Sequence, residues 1–304
     1  MKIGIPKGLL YYKYYPFIET FFTELGAEII ISPDTNKDIL DDGVKYCVDD
    51  ACVPIKIFHG HVVSLKDKCD MIFIPRIMEL QKQEFICPKF CGLTEMITND
   101  IPNLPLILGE PIYAATKRGL RRWAFITGRS ITRNRIKINR ALKLALVVQG
   151  KHLPLLNNQR FKFNIALVGH PYNIYDSFIN MNLVKKLNEF GIGVITEEFV
   201  DEDQISLSVS KLFKKPFWTF AKHSYGFATY LSENSKVDGI IYISSFSCGI
   251  DSVVIELIKD KVKDFPMLIL KLDEHTGEAG FDTRLEAFSD MLERRSVEYE
   301  NNFS

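Results

Sequence analysis

Residues 237–252 read VDGIIYISSFSCGIDS, an apolar run followed by a small polar turn. The run GIIYIS is rich in isoleucine, which is typical of a strand buried inside a parallel sheet. Cys248 follows this strand, and Asp251 lies where the next helix is expected to begin. Because α/β folds with parallel sheets bind ligands beyond the carboxyl ends of their strands, the segment predicts that Cys248 lies at a functional edge of such a sheet.

The same order of strand, turn and helix recurs along the chain of 304 residues. Apolar runs of strand length stand at residues 2–6, 27–33, 69–76, 104–111, 163–172, 192–198, 237–249 and 265–275. Helical patterns separate them, at residues 15–26, 36–47, 53–67, 131–149, 179–191, 253–264 and 281–295. This βαβ order predicts the α/β class, with parallel sheets covered by helices.

The chain is long for one compact core, so two domains are expected. Residues 150–161, GKHLPLLNNQRF, contain Gly, Pro and Asn without any periodicity, which is typical of a linker. We therefore predict an N-terminal α/β domain at residues 1–150 and a C-terminal α/β domain at residues 151–304.

Composition narrows the classes of function. The formal net charge is zero, so no overall positive field attracts nucleic acid. No apolar run approaches the roughly 20 residues that span a bilayer, and the opening MKIGIPKG lacks the apolar stretch of an export signal. We therefore expect a cytoplasmic protein that binds neither nucleic acid nor a membrane. Its six cysteines are too few for a disulfide scaffold, which leaves metal binding, catalysis or burial as their uses.

One segment departs from neutrality. Residues Thr116 to Lys143 are strongly basic. The pattern is typical of a solvated helical face, and it also suits a surface that docks a partner or an anionic ligand. Arg118, Arg121 and Arg122 are the residues that such a docking surface would use.

Three cysteines far apart in the sequence occupy similar contexts. Cys52 and Cys87, in the N-terminal half, stand beside prolines that can open helices, and Cys248, in the C-terminal half, stands at a helix start. Helix N-termini stabilise thiolates, and three thiolates on rigid turns suit an iron–sulfur cluster. The spacings match no compact ligand motif such as C-x-x-C. The pattern alone therefore leaves buried or incidental cysteines as the alternative.

The remaining cysteines are weaker candidates. Cys91 stands four residues after Cys87 and could share a helical face with it. Cys47 falls in a predicted helix and Cys69 begins an apolar strand, so burial is the expected fate of both.

Acid–base candidates stand near the predicted strand ends. They are His170, Asp251, Glu274, His275 and Glu278. The last three belong to DEHTGEAG, a polar, glycine-containing stretch just after a predicted strand, where loops often carry function. Asp251 at a helix start is also what a helix cap requires.

Seven segments in order resemble one known family. They are IGIPKGLLYY, DDACVPIKIFHGH, IFIPR, FICPKFCGL, GHPYNIYD, DGIIYISSFSCGIDS and LDEHTGEAGFDTRLEAFSDML. Together they resemble the activase-related proteins of 2-hydroxyacyl-CoA dehydratases, which are related to dehydratase subunits, benzoyl-CoA reductase subunits and double-cubane cluster proteins. The resemblance implies two Rossmann-like domains with an iron–sulfur cluster in the cleft between them.

The resemblance also implies the ligands of that cluster. The three segments ACVP, ICPK and FSCG correspond to Cys52, Cys87 and Cys248, which would hold one [4Fe-4S] cluster and leave its fourth iron open. Cys91 departs from the family pattern and leaves a four-thiolate site as an alternative. Relatives with double cubanes use two three-cysteine sites, but the contexts of Cys47 and Cys69 favour a single cubane.

The implied function is that of an iron–sulfur redox protein in an anaerobic setting. It would accept low-potential electrons from an ATP-dependent activase, because the chain itself has no G-x-x-x-x-G-K-[ST] loop. Alternatives are a dehydratase subunit acting on a 2-hydroxyacyl-CoA, for which His170, Glu274 and His275 are candidate catalytic residues, and a non-catalytic cluster carrier. The chain could pair with itself or with a related subunit, and a small-molecule substrate is a further expectation.

Overall fold

The computed structural model describes residues 1–152 and 161–303, with side chains to residue 297. The chain divides into two compact units. Unit 1 contains residues 1–152 and the short segment Phe217–Thr219, and unit 2 contains residues 161–216 and 220–303. The predicted linker lies mostly outside the described residues, and the predicted boundary after residue 150 stays a prediction.

Unit 1 is built on a four-stranded parallel sheet in the order β2-β1-β3-β6. Its strands are β1 (Lys2–Ile5), β2 (Glu28–Ile31), β3 (Met71–Phe73) and β6 (Leu106–Leu108). Ile3, Ile5 and Ile72 are almost wholly buried, so the sheet centre is isoleucine packed against helices. The parallel order confirms the predicted α/β class for this half of the chain.

A second, three-stranded sheet in unit 1 was not anticipated. It runs in the order β5-β4-β7, and β4 pairs antiparallel with β5. The strands are β4 (Ile77–Gln81), β5 (Glu84–Phe85) and β7 (Ile112–Tyr113). Two of them have only two residues each, too short for any periodicity to indicate a strand.

Seven helices of unit 1 accompany these sheets. They are α1 (Tyr11–Glu24), α2 (Lys37–Tyr46), α3 (Val53–Leu65), α4 (Pro88–Cys91), α5 (Leu93–Asp100), α6 (Lys117–Arg129) and α7 (Arg135–Gly150). Helices α2 and α3 approach each other unusually closely. A Cβ on Gly60 would lie 1.8 Å from the Ile39 carbonyl oxygen, and one on Gly43 would lie 2.0 Å from the Lys56 carbonyl oxygen. Only glycine permits this contact.

Unit 2 has its own four-stranded parallel sheet, in the order β11-β10-β8-β9. Its strands are β8 (Phe163–Gly169), β9 (Ile192–Ile195), β10 (Gly239–Ser245) and β11 (Met267–Leu272). Every residue of β10 is buried, which confirms the prediction made from GIIYIS. The α/β class with parallel sheets therefore holds in both units.

The helical elements of unit 2 are of uneven length. They are α8 (Pro171–Tyr175), α9 (Leu183–Glu189), the 3-10 turn Glu197–Phe199, α10 (Glu202–Ser210), α11 (Thr219–Glu233), α12 (Gly249–Val262) and α13 (Glu278–Phe303). Helices α10 and α11 lie in a stretch for which the sequence pattern made no prediction. Within the described ranges, no helix has both the length and the apolar character required to cross a bilayer.

Candidate functional site

Two neighbouring strands of unit 2 bring His170 and Cys248 into one region. In the register of β8 with β10, Gly169 pairs with Ile243. His170 follows Gly169 directly as the N-cap of α8, and Cys248 is the N-cap of α12, three residues after β10. A Cβ at Gly169 would lie 2.4 Å from the Ile243 carbonyl oxygen, so a glycine is required where the strand ends meet.

Asp251 lies in the first turn of α12, and its carboxylate is enclosed by donors. The Tyr242 hydroxyl donates to Oδ1 at 2.8 Å, and the Ser244 hydroxyl donates to Oδ2 at 2.8 Å. His170 Nδ1 lies 3.3 Å from Oδ2. Burial by itself would raise the pKa of Asp251, but the imidazole and the two hydroxyls outweigh it, so the pKa lies below the ordinary 3.8. The carboxylate is therefore held ionised.

His170 is fixed on both faces of its ring. It stacks on Tyr172 with 5.1 Å between ring centroids, and Phe220 packs edge-on at 5.0 Å. The residue is only 2% exposed, and its Nε2 has no hydrogen-bond partner among the described residues. A buried polar nitrogen without a partner is rare and points to a group that this structure does not contain.

His170, Cys248 and Asp251 converge. One ligand-type atom of each residue lies within 4.8 Å of those of the other two. A nitrogen, a sulfur and an oxygen donor at this spacing could hold a metal ion. Because both oxygens of Asp251 already accept hydrogen bonds, its carboxylate is better suited to orienting His170 than to binding metal. The Cys248 sulfur and the His170 imidazole therefore remain as the donor atoms of this group that suit a metal ion.

In unit 1, Cys52 is the N-cap of α3, and Pro54 stands in the first turn of that helix. All ten residues from Val53 to Val62 are buried, so the position of the Cys52 backbone is set by a helix enclosed in the core. Burial raises the pKa of the Cys52 thiol, and a hydrogen bond and the charge of Lys89 oppose that effect. The cation is available to stabilise a thiolate if a metal displaces the proton.

Cys87 is the N-cap of α4, which begins with Pro88 and ends with Cys91. Burial raises the pKa of Cys87, and the charges of Cys52 and Cys91 raise it further, whereas the Lys89 backbone N–H lowers it. The coupling places the Cys52 and Cys91 thiols within electrostatic range of Cys87, although 35 residues separate Cys52 from Cys87 in the sequence. Unit 1 therefore collects Cys52, Cys87 and Cys91 in one region, on the starts of two helices that proline opens.

The other two cysteines have different surroundings. Cys47 is buried at the end of α2, and burial together with the charge of Asp100 raises its pKa to about 11. Its thiol also couples to Cys52, so it borders the unit 1 cysteines. Cys69 donates to the Leu65 carbonyl oxygen at 3.2 Å. None of the six cysteines forms a disulfide bond.

The two histidines of α3 are structural. His59 contacts a backbone carbonyl at 2.8 Å and Asp100 at 3.3 Å. His61 contacts the hydroxyl groups of Ser32 at 2.9 Å and Thr35 at 3.0 Å. Burial lowers the pKa of His61 to about 3, so its ring is neutral. Both rings are fully buried with their nitrogens engaged, as a structural role requires.

The polar loop after β11 is organised by its own turn. Asp273 accepts hydrogen bonds from the His275 N–H and the Thr276 hydroxyl. Glu278 begins α13, and its carboxylate pairs with Lys186 at 2.6 Å. His275 is exposed and Glu274 is half-buried. The described residues do not group these three candidates with His170, so their catalytic role stays a prediction.

Sequence reasoning missed three contributors to these sites. Tyr242 and Ser244 stand two apart on β10 and therefore face the same side, a periodicity that was readable in IYIS. Lys89, two residues after Cys87, influences both Cys52 and Cys87. Its effect on Cys52 depends on folding and had no sequence signal.

Comparisons with known proteins identify the family of the chain. Residues 2–200 match the family model described as the CoA enzyme activase uncharacterised domain. Residues 208–292 match the model of the 2-hydroxyglutaryl-CoA dehydratase D-component. Among curated proteins, no significant match was found. Because the first match covers more than half of the chain, this protein belongs to the CoA enzyme activase domain family, the activase-related family of the 2-hydroxyacyl-CoA dehydratases.

Proposed function

We propose that this protein is a cytoplasmic iron–sulfur redox protein that accepts low-potential electrons from an ATP-dependent activase. Cys52, Cys87 and Cys248 are its proposed ligands for one [4Fe-4S] cluster with an open iron site. The observation that carries the proposal is the electrostatic coupling of Cys52 to Cys87 in unit 1, together with the position of both residues as N-caps of helices that proline opens.

The donor chemistry of unit 1 fits such a cluster. Thiolates are the usual protein ligands of iron–sulfur clusters. Cys52 and Cys87 are both N-caps, so backbone N–H groups at the helix starts favour their ionised forms. Their raised pKa values mean that the free thiols hold their protons at neutral pH, so binding iron would release those protons. Cys91 as a fourth ligand remains the alternative within this unit.

Unit 2 would contribute Cys248. Asp251 holds His170 in place, and His170 stands next to the Cys248 sulfur. A positioned imidazole beside a ligand sulfur is the kind of neighbour that adjusts the reduction potential of a cluster. When bound, the cluster would supply a one-electron carrier and an open iron that can take a small ligand or substrate.

The proposed electron donor is a separate protein. ATP-hydrolysing activases couple to dehydratases in the related systems, and this chain carries no phosphate-binding loop of its own. The proposed docking surface consists of Arg118, Arg121 and Arg122, which are all exposed on α6. A homodimer or a pairing with a related subunit is compatible with this role.

The test is anaerobic purification followed by iron and sulfide analysis and EPR spectroscopy after reduction. About four irons per chain are expected, with their loss in Cys52→Ala, Cys87→Ala and Cys248→Ala. Cys69→Ala is the matched control, because that thiol bonds backbone groups of Leu65 and Gly4 and is not a proposed ligand. Full iron content in all three variants would reject the proposed ligands. Loss of iron only in Cys91→Ala would show that Cys91 is a ligand in their place.

The electron-acceptor role has a separate test. Reduction by an activase should require ATP and should slow when Arg118 and Arg122 are both changed to glutamate, because the reversed charges would repel an acidic partner surface. Raising the salt concentration should slow the unmodified pair in the same direction. Reduction at an unchanged rate in the double variant would exclude this face of α6 as the docking surface.

A second candidate function is a dehydratase subunit that acts on a 2-hydroxyacyl-CoA. The D-component match over residues 208–292 favours it, and buried His170, oriented by Asp251, would be its acid–base group. Conversion of a 2-hydroxyacyl-CoA to the enoyl-CoA, in the presence of activase, ATP and any partner subunit, would establish this function. Reduction of the cluster without turnover of the 2-hydroxyacyl-CoA would instead support the electron-carrier function.

A further inference from the structure

Two adjoining spaces in unit 1 are lined by none of the cysteines that the proposed function uses. A partly open apolar cavity of about 130 Å³ lies among α1, β4, α6, α7 and the carboxyl ends of β3 and β7. Its lining includes Tyr14, Phe17, Phe73, Ile77 and Ala114. A cavity of about 150 Å³ with such a lining binds benzene-sized molecules and stays dry when empty.

The walls of this cavity expose no polar surface. Gln149, the one amide in the lining, has both ends engaged. Its Oε1 accepts from the Phe17 N–H at 3.3 Å, and its Nε2 donates to the Lys13 carbonyl oxygen at 2.9 Å. The cavity therefore offers a ligand apolar contact without a hydrogen bond.

A basic recess of about 480 Å³ adjoins the cavity, between α6 and α7. Lys117, Arg121 and Lys143 line it, and no carboxylate does. None of the three cations forms an ion pair with another described residue. The recess is therefore a site of uncompensated positive charge.

The cavity and the recess share the side chains of Leu120 and Leu146 as a common wall. Leu146 is 46% exposed and Leu120 is half-buried, so this wall lies at the surface and not in the packed core. We propose that the two spaces form one site for an anionic amphiphile, a small molecule with a phosphate or carboxylate group joined to an apolar part of about benzene size. The anion binds in the recess, and the apolar part passes between the two leucines into the cavity.

The charge distribution is what selects this occupant. A neutral apolar molecule would fill the cavity and leave the cations unused, and inorganic phosphate would leave the apolar cavity empty. Only a ligand with both parts uses both spaces. Alkyl phosphates and alkyl carboxylates share this chemistry, and the test below separates them.

The test is isothermal titration of the whole protein with ethyl, butyl, hexyl and octyl phosphate, against inorganic phosphate and 1-hexanol. Affinity should rise about fourfold for each added methylene until the cavity is full and then stop rising, because each buried methylene contributes a fixed increment. Hexyl phosphate should bind at least about tenfold more tightly than either inorganic phosphate or 1-hexanol. Equal affinity for hexyl phosphate and 1-hexanol would overturn the proposal.

Substitutions of lining residues test where hexyl phosphate binds. Lys143→Gln should weaken hexyl phosphate by about fivefold, whereas Arg140→Gln, equally exposed on the same helix but outside the recess, should not. Ala114→Phe should fill the cavity and remove the dependence on chain length. If that variant does not fold, Leu146→Glu at the exposed shared wall should abolish binding instead. Unchanged affinity for hexyl phosphate in Lys143→Gln would reject the proposed site. Unchanged affinity in Ala114→Phe, or in Leu146→Glu if Ala114→Phe does not fold, would also reject it.

The fluorescence of Trp123 can report whether a ligand occupies the cavity. Its ring lies 5.7 Å from Phe17 and 6.1 Å from Phe73, and both of these residues line the cavity. In a Trp218→Phe background, hexyl phosphate should change the Trp123 emission, and the change should saturate at the affinity found by titration. Tighter binding of heptanoate than of hexyl phosphate would assign the site to alkyl carboxylates, and the reverse order would assign it to alkyl phosphates. No emission change from either ligand would overturn the proposal.

Discussion

The two cysteine regions of this protein prepare their thiols in different ways. In unit 2, Cys248 has an ionised carboxylate and a fixed imidazole beside it, held by hydrogen bonds from β10 and α8. In unit 1, Cys52 and Cys87 have each other and Lys89 as neighbours, and burial dominates their pKa values. The surroundings of Cys248 in unit 2 are therefore set by polar partners, whereas those of Cys52 and Cys87 in unit 1 are set by the packing of the helix starts.

Because of this difference, we expect the two sites to be sensitive to different kinds of mutation. The unit 2 site should fail when a hydrogen-bond acceptor is lost, because buried donors are then left unsatisfied. The unit 1 site should fail when the backbone that carries its cysteines is displaced, because few side-chain bonds hold these thiols. Mutations of the two kinds therefore test whether the two regions differ in this way.

The largest expected effect is that of Asp251→Ala on the protein without a bound cluster. The change leaves the hydroxyls of Tyr242 and Ser244 and the imidazole of His170 without their acceptor, so the free energy of unfolding should fall by about 3–5 kcal/mol. Denaturant unfolding measures it. Asp273→Ala, in a more exposed turn, is the control and should cost far less. Equal losses would show that the buried network is not what stabilises the unit 2 site.

Gly60→Ala should have the next largest effect, about 3 kcal/mol of lost stability. The new Cβ would collide with the Ile39 backbone and separate α2 from α3, which carries Cys52 at its start. Gly92→Ala is the matched control beside Cys91, where a Cβ meets nothing within 4 Å, and its effect should stay within about 0.5 kcal/mol. Similar unfolding midpoints for the two variants would contradict the packing argument.

The reactivity of Cys47 tests whether burial controls the pKa values of the thiols in unit 1. With a pKa of about 11, Cys47 carries about a hundredfold less thiolate at pH 8 than an ordinary cysteine of pKa 9. Alkylation by iodoacetamide, resolved by mass spectrometry in the reduced protein, should be slower by at least that factor and should accelerate up to about pH 11.

Two variants of opposite sign serve as controls for Cys47. Asp100→Asn removes a charge that raises the pKa and should speed alkylation, whereas Lys56→Met removes one that lowers it and should slow alkylation. Shifts in the same direction from both variants would exclude an electrostatic cause.

The smallest effect concerns acid stability. Since the folded pKa of Asp251 lies below its ordinary value, the unfolded state binds more protons, and the contribution of this carboxylate is present above about pH 4. The difference in unfolding free energy between the wild type and Asp251→Asn should be constant at neutral pH and shrink as the pH falls below 3.8. A difference that grows on acidification would mean that the pKa is raised instead.

Much of the fold was predictable because local pattern and tertiary environment agree. The isoleucine run of β10 is apolar enough to be buried on both faces, and it is. Cys52 and Cys248 were expected at helix starts, and both are N-caps. The sheet of β4, β5 and β7 was not predicted, because strands of two residues owe their pairing to the neighbours that the fold supplies.

By itself, the sequence determined the α/β class, the parallel sheets and the family, because periodicity and ordered motifs are local properties of the chain. Only the tertiary structure decided which side chains meet. It brought Cys52 within electrostatic range of Cys87 and His170 within 3.3 Å of Asp251, and sequence spacing encodes neither relation. The reason is physical, since strand register and helix packing place residues from distant segments together, and both arise only when the whole core closes.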